Sequence, residues 1–378
     1  MPGFELVGDE ERAEVNEIFD SGGVLFRHGF DDKRCNTYKV AEFERDFGRL
    51  YGSKALAVSS GTAALRVAIA ALDLEPGEII TQSFTFVATV EAIVESGYVP
   101  VCANIDDTLN MDPSDLESKI GPMTRAVVVV HMLGVQARLE QISKICAKFK
   151  IPLIEDTAWG CGGTLNGKLL GSWGHVSAFS FDFAKTITTG EGGMVVSSDD
   201  RIIARAREWH DHGHQNNPAV PRWEDTRRSS GFNFRMSELQ GAVGVAQLRK
   251  LELIIQMQRS NYRKLREMLN GIPNLVERTV LDHDGITADA FVFFADDAVT
   301  ASKCRNSLLE IGVATKILPE AISWHFAGQW DHFPSLASLD YENSMTWLSR
   351  AVSIPVFTAP LSSKEIAIIR DSLSRGAN

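Results

Sequence analysis

The sequence predicts an α/β fold, in which a large domain with a mainly parallel sheet is followed by a smaller α+β C-terminal domain. From Ala55 to Ser197, short apolar runs typical of strands alternate with helical patterns, and such alternation produces parallel sheets that are covered on both faces. The chain has 378 residues, whereas a single hydrophobic core stops growing at roughly 250–300 residues. We therefore predict a large domain over residues 1–250 and a small C-terminal domain over residues 251–378.

Two helices are predicted ahead of the alternating region. Apolar residues recur at helical spacing over residues 9–20 and from Val40 to Tyr51, where Phe43 and Phe47 share one face. The alternation then begins, with strands predicted at 55–59, 79–82, 98–105 and 125–131, and helices predicted after residue 60 and at 85–95, 113–120 and 139–149.

The second half of the chain continues the pattern and then changes. Strands are predicted from residue 151, at 176–181 and at 194–197, followed by a helix at 201–210, a polar excursion to residue 230, and a long helix that links the two domains. A strand at 290–295 and helices at 301–311 and 363–373 predict the small α+β domain. The segment 321–332 combines aromatic and polar residues, as expected of a loop that faces a substrate.

The composition excludes several classes of partner. A net charge of −11 offers no basic stripe for nucleic acid, although an anionic small molecule stays compatible with it. The apolar runs are far shorter than the ~20 residues of a membrane span, and the first residues lack the pattern of a secretory signal. The five cysteines are scattered without C-x-x-C spacing, which argues against a disulfide framework or a zinc site. We expect a cytoplasmic protein that binds neither nucleic acid nor membrane.

Lys185 is the first candidate for chemistry. It ends the aromatic run that starts at Phe179 and precedes the glycines at 190, 192 and 193. Apolar surroundings lower the pKa of a lysine, and the neutral amine attacks carbonyls, as a Schiff-base lysine must. The alternative is a surface lysine at a strand-to-turn junction.

A second candidate is the start of the helix after Ser60. A strand that leads into a glycine and a hydroxyl residue at a helix start exposes backbone amides with the helix dipole behind them, so Gly61, Thr62 and Ala63 would suit a phosphate. The alternative is that Ser60 or Thr62 only caps the helix.

Two further patterns allow a structural or a functional interpretation. Asp156 follows an apolar strand, where a carboxylate is either paired functionally or caps the next turn. His210, His212 and His214 invite a metal site, but their spacing of two and the lack of a nearby cysteine argue against it. We therefore predict no metal.

In order, the motifs resemble those of the DegT/DnrJ/EryC1/StrS family of pyridoxal-phosphate-dependent sugar aminotransferases. Five ordered motifs across most of the chain are far more specific than any single one. They are Ser60-Gly-Thr-Ala-Ala-Leu, Ser83-Phe-Thr-Phe-Val-Ala88, Glu155-Asp-Thr-Ala-Trp-Gly160, the segment from Ser180 to Gly193, and Asn233-Phe-Arg-Met-Ser-Glu-Leu-Gln240. The resemblance implies the type I fold of these aminotransferases, with pyridoxal 5′-phosphate as the cofactor.

The same resemblance implies roles at the reacting end of the cofactor. Lys185 would form the Schiff base and carry the proton between the substrate and cofactor carbons. Asp156 would pair with the pyridinium nitrogen and keep it protonated, so that the ring accepts electrons. Phe86 would stack on the ring. Trp159 stands where the family usually has Gln or His, which leaves two roles open: donation of its N–H to the ring oxygen, or packing.

The phosphate end is implied in the same way. It would be held by the start of the helix after residue 60 and by the end of a neighbouring strand, through Gly61, Thr62, Ala63 and Ser180. Asn233 would reach the phosphate from a neighbouring subunit, as in dimeric members of the family, so a homodimer with shared active sites is expected.

The implied activity is transfer of an amino group, with glutamate as the expected donor, to a sugar carbonyl. The basic stretches at 201–207 and 210–214 suggest to us a substrate with a carboxylate. A sugar dehydratase or epimerase on the same fold is an alternative, but related dehydratases carry histidine in place of the Schiff-base lysine, so Lys185 counts against it. A regulator that binds the cofactor without turnover is the other alternative.

Overall fold

The computed structural model describes residues 2–217 and 219–377, and its architecture confirms the predicted α/β class. The described residues form twelve strands: β1 (Lys54–Val58), β2 (Glu78–Gln82), β3 (Val99–Ala103), β4 (Thr124–Val130), β5 (Leu153–Asp156), β6 (Thr164–Leu165), β7 (Lys168–Leu169), β8 (Val176–Ser180), β9 (Gly193–Ser197), β10 (Leu275–Glu277), β11 (Ala290–Ala295) and β12 (Ala351–Pro355).

They also form thirteen α-helices, which cover the sheets: α1 (Pro2–Glu5), α2 (Asp9–Asp20), α3 (Lys39–Tyr51), α4 (Gly61–Leu72), α5 (Val87–Glu95), α6 (Pro113–Lys119), α7 (Leu139–Phe149), α8 (Asp200–Trp209), α9 (Glu238–Leu269), α10 (Ala298–Glu310), α11 (Pro334–Ala337), α12 (Glu342–Leu348) and α13 (Ser363–Ala377). Within the described parts of the chain, no helix is both long enough and apolar enough to cross a membrane.

A seven-stranded sheet, in the order β1-β9-β8-β5-β4-β2-β3, forms the centre of the large domain. The strands from β8 to β3 run parallel to one another, whereas β9 is antiparallel to both β8 and β1. Alternate residues of a strand point to opposite faces, so Leu56 and Val58 pack with α4 and α8, and Ala55 and Ala57 pack with α3 and α9. The sheet is therefore buried on both faces.

The small C-terminal sheet contains β10, β11 and β12, all antiparallel. One of its faces packs against α10, α13 and the end of α9. The other face presents Ala290, Val292 and Phe294 to a cluster that includes Met132 and Trp159 of the large domain. The small sheet therefore lies beside the carboxyl ends of the parallel strands, which is where α/β proteins bind ligands.

Helix α9 connects the two sheets without a break. Its early apolar residues, including Leu251 and Ile255, pack under the large sheet, and Tyr262 and Leu265 pack under the small one. The domain boundary predicted at residue 250 falls inside this helix and stays a prediction.

Candidate active site

A cavity of about 560 Å³ lies between the carboxyl ends of β5 and β8, the start of α4 and the loops of the C-terminal domain. It brings together most of the residues that the sequence singled out, from four separate parts of the large domain. Those that line it are Gly61, Thr62, Phe86, Asp156, Trp159, Ser180 and Lys185. Ala63 and Asn233 lie elsewhere.

Lys185 follows β8 on a turn that the backbone fixes, because its amide donates to the Asp182 carbonyl at 3.0 Å and its own carbonyl accepts the Gly3 amide at 3.1 Å. Its Nζ lies 4.0 Å from the centre of the Trp159 ring. Desolvation of the ammonium group lowers the pKa of Lys185 to about 8; Asp289 opposes this shift and Lys316 contributes to it. The amine is therefore far more often neutral near pH 8 than an exposed lysine would be.

Asp156 is the last residue of β5 and is 5% exposed. Its Oδ2 accepts a hydrogen bond from Thr89 Oγ1 at 2.9 Å, and its Oδ1 accepts the Ala158 amide at 3.2 Å. Burial raises the pKa of this carboxyl, while the two donors and the nearby Lys185 lower it. Both interpretations of Asp156 are thus present in one residue, because it caps the following turn and also faces the cavity.

The start of α4 leaves open backbone donors. Ser60 caps the helix, since its Oγ accepts the Ala63 amide at 3.1 Å, and no described residue accepts a hydrogen bond from the amides of Gly61 or Thr62. These two amides line the cavity at the positive end of a helix, which is the arrangement that binds phosphate. Ala63 does not fit the prediction, because the cap uses its amide and its side chain is buried outside the cavity.

Gly61 approaches Ser180 more closely than any other residue type allows. A Cβ at Gly61 would lie 2.7 Å from Ser180 Cβ and 2.9 Å from its Oγ. The glycine therefore keeps the helix start and the end of β8 side by side, so that the Ser180 hydroxyl and the α4 amides open on one space.

Three aromatic side chains form the cavity wall that faces Lys185. The ring of His325 lies 5.4 Å from that of Phe86 and 6.0 Å from that of Trp159. Phe86 is 39% exposed and open to the cavity, whereas Trp159 is nearly buried and turns a ring face to Lys185. The sequence suggested that the loop 321–332 faces a substrate, and His325 is the member of that loop that lines the cavity.

Sequence reasoning missed three other residues that line the cavity. Thr89 lies one turn after Phe86, on α5, and holds Asp156. Asp289 and Lys316 come from the C-terminal domain and form an ion pair, with 3.1 Å between Lys316 Nζ and Asp289 Oδ1. Asp289 shows the same signal as Asp156, a carboxylate next to an apolar strand, but Lys316 belongs to no pattern.

Asn233 is exposed and outside the cavity of its own chain. It forms a β-bridge with Asp211, which is fully buried and accepts hydrogen bonds from Arg222 and Arg235. These arginines and His28 hold the pKa of Asp211 far below its usual range against the effect of burial. The ion pairs of Asp211 therefore hold the backbone beside Asn233 in place, outside the cavity of this chain.

The sequence suggested a substrate carboxylate from the basic stretches at 201–207 and 210–214, and that suggestion stays a prediction. Neither stretch lines the cavity. Arg201 pairs with Asp199 and Arg205 with Asp73, on the outer side of α8.

Within the described residues, no group of three His, Cys, Asp or Glu side chains is arranged to hold a metal ion. Of the three histidines that invited a metal site, His210 has its Nδ1 atom 2.6 Å from the Arg207 carbonyl, so this ring nitrogen already has a hydrogen-bond partner.

The residues of the cavity suit pyridoxal phosphate. A lysine with a lowered pKa, a buried carboxylate and an uncovered helix start face one space, and Gly61 leaves room that any Cβ would fill. Such a set holds a carbonyl, a ring nitrogen and a phosphate by separate groups.

Comparison with known proteins agrees with this arrangement. The sequence profile of the DegT/DnrJ/EryC1/StrS aminotransferase family matches residues 9–374. The chain is 31% identical over 367 residues to spore coat polysaccharide biosynthesis protein SpsC of Bacillus subtilis (strain 168), covering 93% of this chain and 90% of that protein. It is 37% identical over 271 residues to GDP-perosamine synthase of Vibrio cholerae, covering 71% and 70%. The solved structure of Helicobacter pylori PseC, an aminotransferase involved in the biosynthesis of pseudoaminic acid, is similar with a TM-score of 0.85 and 25% identity, covering 98% of this chain and 96% of that one.

Proposed function

The chain belongs to the DegT/DnrJ/EryC1/StrS aminotransferase family, and from this premise we propose that it transfers an amino group from glutamate to the keto or aldehyde group of a sugar acid used in lipopolysaccharide or another glycan. It is a sugar aminotransferase that uses pyridoxal 5′-phosphate. The observation that carries the proposal is that Lys185, Asp156 and the open amides of α4 line one cavity.

The proposed acceptor is 8-oxo-3,8-dideoxy-manno-octulosonate. Three segments support it by their resemblance to the aminotransferase that acts on this eight-carbon sugar acid. They are the opening Met-Pro-Gly-Phe-Glu-Leu, the stretch from Ser180 to Gly193, and Asp211-His-Gly-His214.

The residues of the cavity that would contact the cofactor or the substrate have the following proposed tasks. Lys185 Nζ would hold the cofactor through its carbonyl, and the amine would then carry a proton to and from the substrate carbon, a task that its lowered pKa favours. The Asp156 carboxylate would pair with the ring nitrogen, with Thr89 fixing its orientation. When bound, pyridoxal phosphate supplies a ring that accepts electrons from the substrate carbon. Phe86 covers one face of the space, and His325 and Trp159 reduce its access to water.

At the phosphate end, the amides of Gly61 and Thr62 and the hydroxyl of Ser180 are the proposed donors. Charge-assisted hydrogen bonds of this kind are roughly twice as strong as neutral ones. Because all three belong to α4 or β8, they would hold the cofactor phosphate without the rearrangement of a loop.

The activity is tested by incubating the enzyme and glutamate with a panel of keto sugars. We expect 2-oxoglutarate and an amino sugar to form in equal amounts, fastest with 8-oxo-3,8-dideoxy-manno-octulosonate. Amino transfer distinguishes this function from a dehydratase, an epimerase or a regulator. Comparable turnover of neutral keto sugars would contradict the proposed acceptor but not the family.

We further propose a homodimer in which Asn233 of each chain reaches the phosphate in the site of the other. Its exposure and its absence from its own cavity support this proposal. Exposed aromatic residues close to it in the chain also suit an interface: Phe232 is 50% and Trp223 is 84% exposed. A cytoplasmic location is consistent with the five cysteines, all of which are unpaired.

Mixed dimers test the shared site. A dimer of one Lys185→Ala chain and one Asn233→Ala chain contains one intact site, so random mixing of inactive parents should restore about a quarter of the wild-type sites. A mixture no more active than its parents would refute the sharing.

A further inference from the structure

We propose that Lys316, held in place by Asp289, binds a substrate carboxylate in the catalytic cavity and is a specificity-determining residue. The inference rests on the proposed function, because both the donor and the proposed acceptor are carboxylates. It names a basic side chain inside the cavity that can bind this charge, whereas the basic stretches after Lys185 do not line the cavity of their own chain.

The ion pair leaves the Lys316 ammonium group able to bind something else. Nζ lies 3.1 Å from Asp289 Oδ1, but the pair is not aligned as a hydrogen bond, and neither carboxylate oxygen accepts one from any described residue. No acceptor for the N–H groups of Lys316 Nζ is present among residues 2–217 and 219–377 either. A cation with three donors and one ionic neighbour therefore lies on the wall of the cavity.

Asp289 explains why the cation is there. Its side chain is about 1% exposed and that of Lys316 13%, so each would be expensive to bury alone. Together they form a neutral pair, and Asp289 is in turn fixed at the start of β11, where its carbonyl accepts the Val356 amide at 3.2 Å. Asp289 thus positions Lys316 and compensates its charge before any substrate enters.

The backbone of Lys316 is fixed as well. Ser353 Oγ, on β12, accepts the amides of Lys316 and Ile317 at 3.3 Å and that of Leu318 at 3.1 Å. Ser353 is fully buried. Lys316 therefore extends from a braced loop instead of a free one, as a group that selects a substrate should.

Lys316 is also the positively charged side chain of the cavity that is available to bind a substrate. Within the described chain, the basic side chains that line the cavity are Lys185, Lys316 and His325. Burial lowers the pKa of His325 to about 4, so this ring is neutral at pH 7. The amine of Lys185 would be occupied by the cofactor carbonyl in the proposed function. A carboxylate that enters the cavity has Lys316 as its fixed positive partner, and the two lysines are close enough that Lys316 lowers the pKa of Lys185.

Two sources of carboxylate are compatible with this site, the amino donor and the sugar acid. The two half-reactions separate them, because an aminotransferase converts donor and acceptor in successive steps. Absorbance of the bound cofactor follows each half-reaction by itself, with L-glutamate in one arm and 8-oxo-3,8-dideoxy-manno-octulosonate in the other.

The first test compares three forms of the holoenzyme. Lys316→Gln alone would leave the buried Asp289 carboxylate without its ionic partner and could unfold the protein. The main variant is therefore Lys316→Gln combined with Asp289→Asn, which removes both charges at nearly constant volume. Lys316→Arg keeps the charge and should retain most of the affinity. Lys364→Gln, at an exposed lysine of the same domain, is the matched control.

We expect the neutral double variant to raise the half-saturating concentration of glutamate, of the sugar acid or of both by about 10- to 150-fold, which corresponds to loss of one charge-assisted hydrogen bond. Calorimetry with glutarate, a dicarboxylate that cannot react, should show a similar loss of affinity. A loss in either arm supports the proposal and identifies the source of the carboxylate.

Two results would overturn it. One is glutarate binding and half-reactions in the double variant that equal those of Lys364→Gln. The other is an equal loss for a neutral keto sugar, which would indicate a general change in the cavity. If wild-type enzyme does not aminate the sugar acid at all, the proposed acceptor is wrong, but the glutamate and glutarate measurements still decide the role of Lys316.

Discussion

Substitution of Gly61 by alanine sets two physical effects against each other. Alanine is a better helix residue than glycine by roughly 0.5–1 kcal/mol, and α4 begins at this position without a left-handed backbone angle. Helix propensity alone therefore predicts a slightly stabilised protein. The new Cβ, however, would lie 2.7 Å from Ser180 Cβ, about 0.7 Å inside the 3.4 Å at which ordinary contact begins.

The clash should win, because both partners belong to regular elements. Ser180 ends β8, in the middle of the sheet, and forced overpacking of this kind typically costs about 1–3 kcal/mol. A separation of α4 from β8 by even half of the missing distance would stretch the hydrogen bonds proposed for the cofactor phosphate beyond useful length. Loss of one such bond costs about 1.5–3 kcal/mol. We expect Gly61→Ala to bind pyridoxal phosphate about 10- to 150-fold more weakly.

The measurement is a titration of each apoenzyme with pyridoxal phosphate, followed by absorbance, together with thermal unfolding. Gly121→Ala is the control, because a Cβ at Gly121 meets nothing within 4 Å and its backbone angle is ordinary. Ser180→Gly added to Gly61→Ala removes the atom that clashes and should restore unfolding stability, although not the contact of the lost hydroxyl. If Gly61→Ala binds the cofactor as tightly as Gly121→Ala, the close approach of α4 to β8 is not what builds this site.

Three other predictions concern the side chains around Lys185. Thr89→Val should raise the pKa of Asp156, because it removes the 2.9 Å hydrogen bond to its Oδ2, and should weaken cofactor binding about 10-fold or more. Thr85→Val should weaken cofactor binding less, because Thr85 reaches Asp156 only through Thr89. Equal losses of cofactor affinity in the two variants would contradict this order. Uptake of pyridoxal phosphate by the apoenzyme should accelerate as pH rises to about 8, the lowered pKa of Lys185, and then level off; borohydride and peptide mapping should find the label on this lysine and no other. Trp159→Phe should leave the pH titration of the bound cofactor's absorbance unchanged, because the indole turns its face, 4.0 Å away, to Lys185; a shifted titration would favour the N–H donor role.

Most of the fold follows from the sequence because each local signal was strong. The predicted limits of helix α7 and of strand β11 match the structure. The predicted strands of the large sheet differ from the observed ones by one or a few residues at their ends. The antiparallel direction of β9 was not predicted, since its apolar run looks the same in either direction. Strands β10 and β12 escaped notice because they are short and gain their identity from pairing with β11.

The residues of the candidate site also differ in whether the sequence could reveal them. Residues that sit at the junction of a strand and a turn, such as Lys185 and Asp156, could be selected from the chain because burial there needs an explanation. Thr89 and His325 could not, since their importance comes from what lies across the cavity and not from their neighbours in sequence. The basic stretches within residues 201–214 show the same limit, because they follow Lys185 in the chain and yet do not line the cavity of their own chain.

Asp289 and Lys316 carry that reasoning one step further. The acidic residue is the one that sequence alone could have raised, because a carboxylate beside the apolar strand β11 needs a partner just as Asp156 does beside β5. The partner lies 27 positions along the chain, in a loop whose place is set by Ser353 of β12. The small sheet brings these three residues together, and its other residues pack against Trp159, so that Lys316 lines the same cavity as Lys185. In this enzyme the large domain supplies the groups that fit the cofactor, and the C-terminal domain supplies the charge that we expect to choose the substrate.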